Sequence, residues 1–318
     1  MKHFRQRGIA LLVAIVMFAI ATTVAAAITY NKAMAARRAA GTFALEQALQ
    51  AGMAAEALAQ IVLENNATAA RTRFNDTWDD PVGPIEIEGT GVWIQAQLED
   101  LGARFNLNSL VAWTGQPLNS FEVDTHQLAV FRDLLERLDI DQRFAGLLAD
   151  WIDPNIAPQP TGGGEDTLYL TQLPPYRPPN AFITHTSELL ALPGFGAENY
   201  AKLAPYVTAL PPDVKVNLCT ASGMVLDAVE SMNQTSYSNM NLPQLRQKNC
   251  FPTQQVFLAS IGNPAVQPAV QTGIIETSNW FRLRTNIRIG TAEFVLYSVL
   301  FREPDHKVRT VQRSFGSE

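Results

Sequence analysis

The side chains best suited to chemistry lie in one acidic segment that is rich in glycine and proline. It reads DWIDPN over residues 150–155 and GGGED over residues 162–166, and Tyr169 follows. Oxygen atoms on such a loop suit Ca²⁺, which binds six to eight oxygens in a flexible geometry. The candidate calcium ligands are four side chains: Asp153, Asn155, Glu165 and Asp166. The spacing is not that of an EF-hand, and a solvated loop with capping carboxylates is the open alternative.

Cys219 and Cys250 are the two cysteines of the chain, too few for a disulfide-rich scaffold or a zinc site built on thiolates. In an oxidising compartment the two thiols are expected to pair, closing a loop of about 30 residues. By the chain-entropy model, that closure would stabilise the fold by about 3–4 kcal/mol. A buried pair of free thiols is the alternative.

Two function classes are disfavoured by composition and motifs. His126, His185 and His306 stand apart, and the chain contains no H-E-x-x-H, G-x-S-x-G or phosphate-loop motif. We therefore predict that the protein is not an enzyme. Its 24 basic and 30 acidic residues give a net charge of −6, whereas nucleic-acid binders need a basic face.

The segment LPGFG at residues 192–196 looks like the hairpin of a helix-hairpin-helix unit. In DNA-binding versions, backbone N–H groups at this hairpin hold phosphate with the help of nearby cations. Here the close cation is Lys202, and Glu188 and Glu198 surround the turn. A tight turn between two helices is the favoured interpretation, and we expect no nucleic-acid partner.

The N-terminal region decides the compartment. Residues 9–28 contain no charge, proline or glycine, and at 1.5 Å per residue their length of about 30 Å matches the hydrocarbon core of a bilayer. Helix-forming sequence without proline continues to Glu64. The sequence thus predicts one helix of roughly 80 Å that anchors the chain in a membrane. The alternative is a secretory signal peptide, cleaved after residues 25–27, that releases a soluble protein.

The second half of this helix is amphipathic. Small and apolar residues recur on one face: Ala48, Ala51, Gly52, Ala55, Leu58, Ala59 and Val62. Polar residues fall on the opposite face: Glu46, Gln50, Gln60 and Glu64. The apolar face is therefore available to pack on a sheet.

Alternation of apolar and polar residues predicts the strands of that sheet. After a turn rich in proline and glycine at residues 81–84, residues 91–98 alternate with period two. Residues 281–289, 294–301 and 308–311 are three further strands joined by turns, which form an antiparallel meander. Arg282, Arg284 and Arg288 are expected on its solvated face.

About 165 residues of different character separate these strand regions. Apolar periodicity predicts helices near residues 128–138, 144–151, 187–192, 199–210 and 221–232, the last with Thr220 or Ser222 as its N-cap. The fold class is therefore α+β, with a helical block that interrupts a sheet.

A basic leader that ends in Gly8, followed by an apolar helix that turns amphipathic, resembles the type IV prepilin family, which includes the pseudopilins. The resemblance implies that a prepilin peptidase cleaves between Gly8 and Ile9, keeping the membrane anchor, and that Ile9 is then N-methylated. Most members carry Glu at the fifth mature position, where this chain has Val13. Absence of that Glu is similar to the K-type minor pseudopilins of type II secretion, which lie at the fibre tip.

Two further motifs resemble the K-type family. The run E-D-x-G-x-x-N-L-N-x-L begins at Glu99 and looks like its strand-turn-strand, and D-W-x-D…G-E-D-x-x-Y begins at Asp150 and looks like its calcium-binding segment. The resemblance implies calcium as a structural ion. It also implies a pilin-like fold, in which a long N-terminal helix packs on a small antiparallel sheet, with a large inserted helical domain.

The organisation implied by this resemblance has five parts. They are a prepilin leader (1–8), a transmembrane helix (9–28), the pseudopilin helix and first strands (29–110), an inserted α-domain with helix-hairpin-helix-like units (111–275) and the C-terminal strands (276–318).

The resemblance also implies a location and a function. The protein would be a single-pass inner-membrane protein whose bulk lies in the periplasm, and it would initiate the pseudopilus and limit its growth. The implied partners are the minor pseudopilins I and J, with H, the major pseudopilin and the prepilin peptidase. The rivals are a Sec-exported soluble calcium-binding periplasmic enzyme and a minor type IV pilin. A membrane-tethered DNA-uptake protein is disfavoured by the acidic charge.

Overall fold

The computed structural model describes residues 7–66, 71–73, 78–113, 121–230 and 235–316. Its first element is one continuous helix of 59 residues, α1 (Arg7–Asn65). The part of α1 that begins at Ile9 includes a stretch apolar and long enough to cross a bilayer, and none of that stretch is buried against the rest of the chain. The prediction of an uninterrupted helix that is apolar first and packed later is confirmed.

The other elements are short by comparison. The helices that follow are α2 (Thr125–Arg137), α3 (Arg143–Ile152), α4 (Asp166–Tyr169), α5 (Gly196–Leu203), α6 (Gly223–Glu230), α7 (Leu242–Leu245), α8 (Gln254–Ser260) and α9 (Gln267–Gly273). The strands are β1 (Val82–Ile87), β2 (Val92–Asp100), β3 (Phe105–Asn106), β4 (Val111–Trp113), β5 (Phe121–Val123), β6 (Val207–Thr208), β7 (Val216–Asn217), β8 (Ile274–Ile275), β9 (Trp280–Ile289), β10 (Ala292–Arg302) and β11 (Val308–Phe315).

One antiparallel sheet has the strand order β1-β2-β9-β10-β11. The chain leaves this sheet after β2 and returns at β9, where Leu98 lies opposite Leu283. Phe281, Leu283 and Ile287 are buried on the inner face, and Arg284 is exposed on the outer face. The predicted alternation of β9 is therefore confirmed.

The second half of α1 packs across the inner face of the sheet through small residues. Ala48, Ala51, Ala55 and Ala59 are buried there. A Cβ atom at Gly52 would lie 2.4 Å from Leu296 Cδ2, so a larger residue at this position would require the Leu296 side chain on β10 to shift. We call α1 from Ala48 onward, together with β1, β2, β9, β10 and β11, the sheet body.

The predicted assignment of helix faces is wrong at Leu58, which is 63% exposed, while Glu56 is buried in its place. The buried stripe of α1 is shifted toward the predicted polar face, because β11 lies beside that face. There, Gln60 Nε2 donates to Thr310 Oγ1 at 3.3 Å and Glu64 Oε1 accepts from the Val308 N–H at 3.0 Å.

The predicted turn at residues 81–84 is also wrong, because Val82 already belongs to β1. β1 is an edge strand, where proline is tolerated since one side of the strand has no ladder partner. The register with β2 shifts between Val82 and Ile85, and Gly83 has a φ of 102°, which fits a bulge at this point.

Residues 101–279, which we call the helical body, enclose their own apolar core. Phe131, Leu134, Leu148 and Phe257 lie at its centre, and Phe105, Leu107 and Leu110 also belong to it. The helices α2, α3 and α6 match the predicted pattern, and Ser222 Oγ accepts from the Val225 N–H at the start of α6. The predicted end of this last helix, at residues 231 and 232, lies outside the described residues.

The helix predicted over residues 199–210 is wrong beyond Leu203, where α5 ends. Pro205 cannot continue the hydrogen-bonding of an α-helix. Val207 and Thr208 form β6 instead, which pairs in parallel with β3. The LPGFG segment before α5 is a turn in which Gly194 and Gly196 take positive φ angles and Phe195 is buried against Phe144.

Cys219 and Cys250 are both buried and joined by a disulfide. The predicted pairing is confirmed.

Candidate functional site

The acidic segment begins at the end of α3 and is organised around Asp150. This carboxylate is fully buried and accepts hydrogen bonds from the backbone N–H of Gln159 and from that of Gly164, at 3.0 and 2.7 Å from Oδ2. A Cβ atom at Gly163 would lie 2.5 Å from Asp150 Oδ2, which explains the glycines on this loop. Asp150 was not among the candidate ligands, and the structure gives it the role of holding the loop.

Asp153 and Glu165 are brought together beside Asp150, and each has an oxygen that is buried without a hydrogen-bond partner in the described part of the chain. These atoms are Asp153 Oδ2 and Glu165 Oε1, and the Tyr169 hydroxyl is in the same situation. Buried polar atoms normally have a partner. Three such oxygens on one segment are expected at a cation site, because a bound cation would coordinate oxygens that have no hydrogen-bond donor.

Burial raises the pKa of Asp153 and the charge of Asp150 adds to the increase, while a hydrogen bond from the Asn155 N–H opposes it, so that the pKa is about 6. Burial, together with the charges of Asp150, Asp153 and Asp166, raises the pKa of Glu165 to about 7. The carboxylates are therefore close enough to repel one another.

Asn155 and Asp166 are less well placed as ligands. Asn155 is exposed, and its Oδ1 accepts from the Ala157 N–H at 2.6 Å. Asp166 Oδ2 lies 3.5 Å from Arg177 Nε on the surface. Among the described residues, no group of three or more His, Cys, Asp or Glu side chains is arranged to hold a metal ion by itself. The residues present fit a cation held by Asp153 and Glu165 together with oxygens of other types.

The predicted cleavage site, Gly8–Ile9, lies in the first turns of α1, and residues 1–6 of the predicted leader lie outside the described residues. Ile9 is exposed, as are the apolar side chains that follow it. α1 continues through the predicted end of the transmembrane part at Ile28 without a break.

An apolar groove lies between α1 and the edge strand β1. Its volume is about 320 Å³, and its walls include Ala54, Leu58 and Val62 of α1 and Val82, Ile85 and Ile87 of β1. Leu58 and Ile85 are each more than half exposed. A second groove of about 470 Å³ extends along α1 toward Phe43. Sequence reasoning missed this surface because Leu58 was assigned to the packed face.

Comparison with known proteins gives consistent results. A family model described as "Type II secretion system (T2SS), protein K" matches residues 103–212. The chain is 30% identical to the type II secretion system protein K of Pectobacterium carotovorum subsp. carotovorum, over 98% of this chain and 97% of the relative. It is 29% identical to the protein of that name from Pseudomonas aeruginosa, over 98% and 93%.

A solved structure is also similar to this chain. It is described as the GspK-GspI-GspJ complex from the enterotoxigenic Escherichia coli Type 2 Secretion System. The matched chain is 25% identical with a TM-score of 0.75, and the match covers 88% of this chain and all of that one. The resemblance in sequence therefore extends to the fold, from the sheet body through the helical body.

Proposed function

We propose, from the premise that this chain belongs to the type II secretion system protein K family, that it forms the tip of the pseudopilus, starting its assembly and limiting its growth. The chain is a minor pseudopilin of that system, in which the family is a structural component rather than a known enzyme. The proposal concerns where in the fibre it sits and what it does there.

The observation that carries this proposal is the shape of α1 and its surroundings. Its first half offers apolar side chains on all sides, as a bilayer requires, and its second half is fixed to the sheet. The helical body then adds residues 101–279 beyond the end of β2. Other subunits can pack along α1 of such a chain. The helical body would cover the end of the fibre, so that no further subunit could be added beyond it.

We propose that the apolar groove receives an apolar segment of another pseudopilin. The similar structure is a complex with GspI and GspJ, so the I- and J-type subunits are the first candidates for this chain. The H-type and major pseudopilins and the prepilin peptidase are further expected partners, and the inner membrane is the expected location. Exposed apolar area along a helix that must enter a fibre supports this assignment.

The test is to mix the periplasmic part, residues 30–318, with the periplasmic parts of its I- and J-type candidates and to measure binding. Leu58→Glu places a charge in the groove and is expected to weaken binding at least about tenfold, or about 1.4 kcal/mol. Leu173→Glu is the matched control, because Leu173 is 96% exposed in the helical body. Equal binding by both variants and the unchanged protein would refute docking at the groove.

The roles in initiation and length control need an assay in cells. In bacteria that overproduce the major pseudopilin, deletion of this chain is expected to delay the first fibres and to lengthen those that form. Electron microscopy of sheared fibres gives both number and length. Unchanged fibre number and length after deletion would contradict the tip assignment.

We propose calcium as a structural ion of the acidic segment, held by Asp153 and Glu165. Their buried, unpartnered oxygens support this assignment. When bound, the ion supplies positive charge between carboxylates that otherwise repel one another. The role of the chain is to bring the end of α3 and the start of α4 together around that charge.

N-terminal sequencing of the protein purified from membranes separates this function from its rival. A mature N-terminus at Ile9 is expected for a prepilin that keeps its anchor. A terminus at Ile28, in protein released to the soluble fraction, would instead favour the Sec-exported periplasmic enzyme.

A further inference from the structure

The sheet body and the helical body have separate apolar cores. The inner face of the sheet packs on α1 through residues such as Leu63, Phe281 and Leu300. The core of the helical body is formed by residues from Phe105 to Ile274. The two sets of buried apolar residues have no member in common. An interaction other than a shared apolar core therefore contributes to holding the two bodies in one orientation.

That interaction is centred on Asp100, the last residue of β2, which is only 5% exposed. Its Oδ2 atom accepts hydrogen bonds from Asn217 Nδ2 at 2.9 Å, from Thr220 Oγ1 at 2.6 Å and from Ser278 Oγ at 2.7 Å. Its Oδ1 atom accepts from the Gly102 N–H at 2.8 Å. Asn217 and Thr220 lie well inside the helical body, whereas Ser278 lies at its end, two residues before β9.

The segment that follows α1 joins the same cluster. Asn217 Nδ2 also donates to the Thr72 carbonyl at 3.1 Å, and the Ser278 N–H donates to Thr72 Oγ1 at 3.0 Å. From β10, Arg302 Nη2 donates to the Ser278 carbonyl. We call Thr72, Asp100, Asn217, Thr220 and Ser278 the junction cluster. It connects the segment that follows α1, the sheet and the helical body through polar hydrogen bonds rather than through apolar packing.

We propose that the junction cluster is a polar latch that fixes the orientation of the helical body, and that the helical body rotates about residues 101–104 and 276–279 when the latch is opened. This inference is independent of the proposed function, since it concerns how two parts of one chain are held.

The surroundings leave room for such a rotation. Clefts of about 480 and 500 Å³ lie between the two bodies. The first is lined by Trp280 and Tyr297 of the sheet and by Phe182 of the helical body. The second lies next to Asp100 and Thr220. Interfaces between domains that are small and polar allow relative motion, whereas large apolar ones do not.

The electrostatics make the cluster sensitive to a single change. Burial raises the pKa of Asp100, although the hydrogen bonds from Thr220, Ser278 and Asn217 oppose that increase. A buried carboxylate held by neutral donors loses much of its support when one donor is removed. Loss of a few hydrogen bonds in the junction cluster is therefore expected to change the orientation of the whole helical body relative to the sheet body.

Asp100→Asn is the most direct test. The new amide places its N–H₂ group either where Oδ2 stands, 2.9 Å from the Asn217 N–H₂ group, or where Oδ1 stands, 2.8 Å from the Gly102 N–H. Two donors then face each other, while both apolar cores stay intact. Gly102→Ala opens the cluster by a different route, because its Cβ atom would lie 2.5 Å from Ser278 Oγ.

The matched control is Asp227→Asn. Asp227 is as deeply buried, and it accepts from the N–H groups of Tyr237 and Ser238, so all these partners lie within the helical body. Loss of this carboxylate is expected to destabilise the helical body without releasing it from the sheet.

The measurement is a distance distribution between spin labels at Gln95→Cys in β2 and Glu198→Cys in α5, in the full chain reconstituted in lipid nanodiscs. Both positions are exposed. The unchanged protein and Asp227→Asn are expected to give one narrow distribution. Asp100→Asn and Gly102→Ala are expected to widen it about twofold or to add a second distance.

A narrow and unshifted distribution in both junction variants would overturn the proposal, even if their unfolding temperatures fall. Should Asp100→Asn fail to fold, Gly102→Ala and Thr220→Val decide the matter, because Thr220→Val removes one donor and retains the side-chain shape. Widening in Asp227→Asn equal to that in the junction variants would also overturn it.

Discussion

The sheet body and the helical body satisfy their buried polar groups in different ways. In the sheet body, strands of six to eleven residues run beside each other, so that most backbone groups are paired between neighbouring strands. In the helical body the longest helix, α2, has 13 residues, and the strands have two or three. Its irregular connections must be held by side chains.

The asparagines of the N-L-N motif illustrate this dependence. Asn108 accepts from the Ile183 N–H and donates to the carbonyls of Ile183 and Leu210. Asn106 Oδ1 accepts from the Leu210 N–H at 3.1 Å. A motif that looks like part of a strand thus fixes loops about 75 and 100 residues away. The comparison teaches that the helical body owes its shape to specific polar contacts and cross-links, and the sheet body to periodic patterning.

The largest effect is expected from removal of the disulfide. This change tests whether the disulfide stabilises the helical body alone. Cys219→Ser together with Cys250→Ser is expected to destabilise the helical body by about 3–4 kcal/mol, because the unfolded loop regains its conformational freedom. Hydrogen exchange followed by mass spectrometry reports each body separately. Protection in β9 and β10 is expected to be unchanged, and an equal loss there would contradict the separation of the two bodies.

Removal of calcium is expected to act on the same body with a slightly smaller effect. At a free calcium concentration of 100 times its Kd, binding stabilises the folded state by about 2.7 kcal/mol. Chelation is therefore expected to lower the unfolding temperature of the helical body in the unchanged protein. Asp153→Asn with Glu165→Gln should remove that calcium response.

Asp166→Asn is the control for this prediction, because Asp166 lies at the surface next to Arg177. It is expected to keep most of the calcium response. Calcium-independent unfolding of the unchanged protein would refute the proposed ion, and loss of the response in Asp166→Asn alone would assign the ligands differently.

Glu56 is the exception in the sheet body, and it makes the comparison sharper. Its carboxylate accepts from Ser298 Oγ, Thr310 Oγ1 and Arg313. Glu56→Gln is expected to destabilise the sheet body by about 1.5–3 kcal/mol, since hydrogen bonds to a charged group are lost. Glu46→Gln, at an exposed position of the same helix, is expected to change little.

The pH dependence of this effect has a definite sign. Burial by itself would raise the pKa of Glu56, but the hydrogen bonds and charge of Arg313, with the hydroxyls of Ser298 and Thr310, outweigh it, so the pKa lies below 4.5. The stabilisation is complete above the unfolded pKa and is lost as pH falls through the folded one. The difference between the unchanged protein and Glu56→Gln should therefore shrink below about pH 4.5. A constant difference down to pH 3 would show that the charge is not responsible.

The two bodies also differ in how far their sequence predicts them. The predicted ends of β9 and β10 agree with the structure to within a few residues. In a half-buried strand, apolar and polar residues must alternate with a period of two. The errors in the sheet body occur where the burial of a residue depends on which strand packs next to it. Leu58 is an example, because its exposure depends on the position of β11. Glu56 could not be recognised as buried, since its partner Arg313 lies 257 residues further along the chain.

For the acidic segment, residue types identified the region but not the role of each member. Asp150 was omitted from the candidate ligands, and only the folded loop shows that its oxygens are used by Gln159 and Gly164. The junction cluster was out of reach for the same reason. Asp100 meets Asn217 and Ser278 across 117 and 178 residues, and no local pattern records such contacts.

The smallest effect concerns the ends of the short helices, and it tests whether side-chain caps matter in the helical body. Asp124 accepts from the N–H groups of His126 and Gln127 at 2.9 and 3.0 Å and so caps α2. Gln142, the residue that precedes α3, makes no capping hydrogen bond with its side chain. Asp124→Ala is expected to cost about 1 kcal/mol and Gln142→Ala less than about 0.5 kcal/mol, in urea unfolding followed by circular dichroism. Equal effects of the two substitutions would mean that packing of α2 and α3, rather than their caps, sets the stability of the helical body.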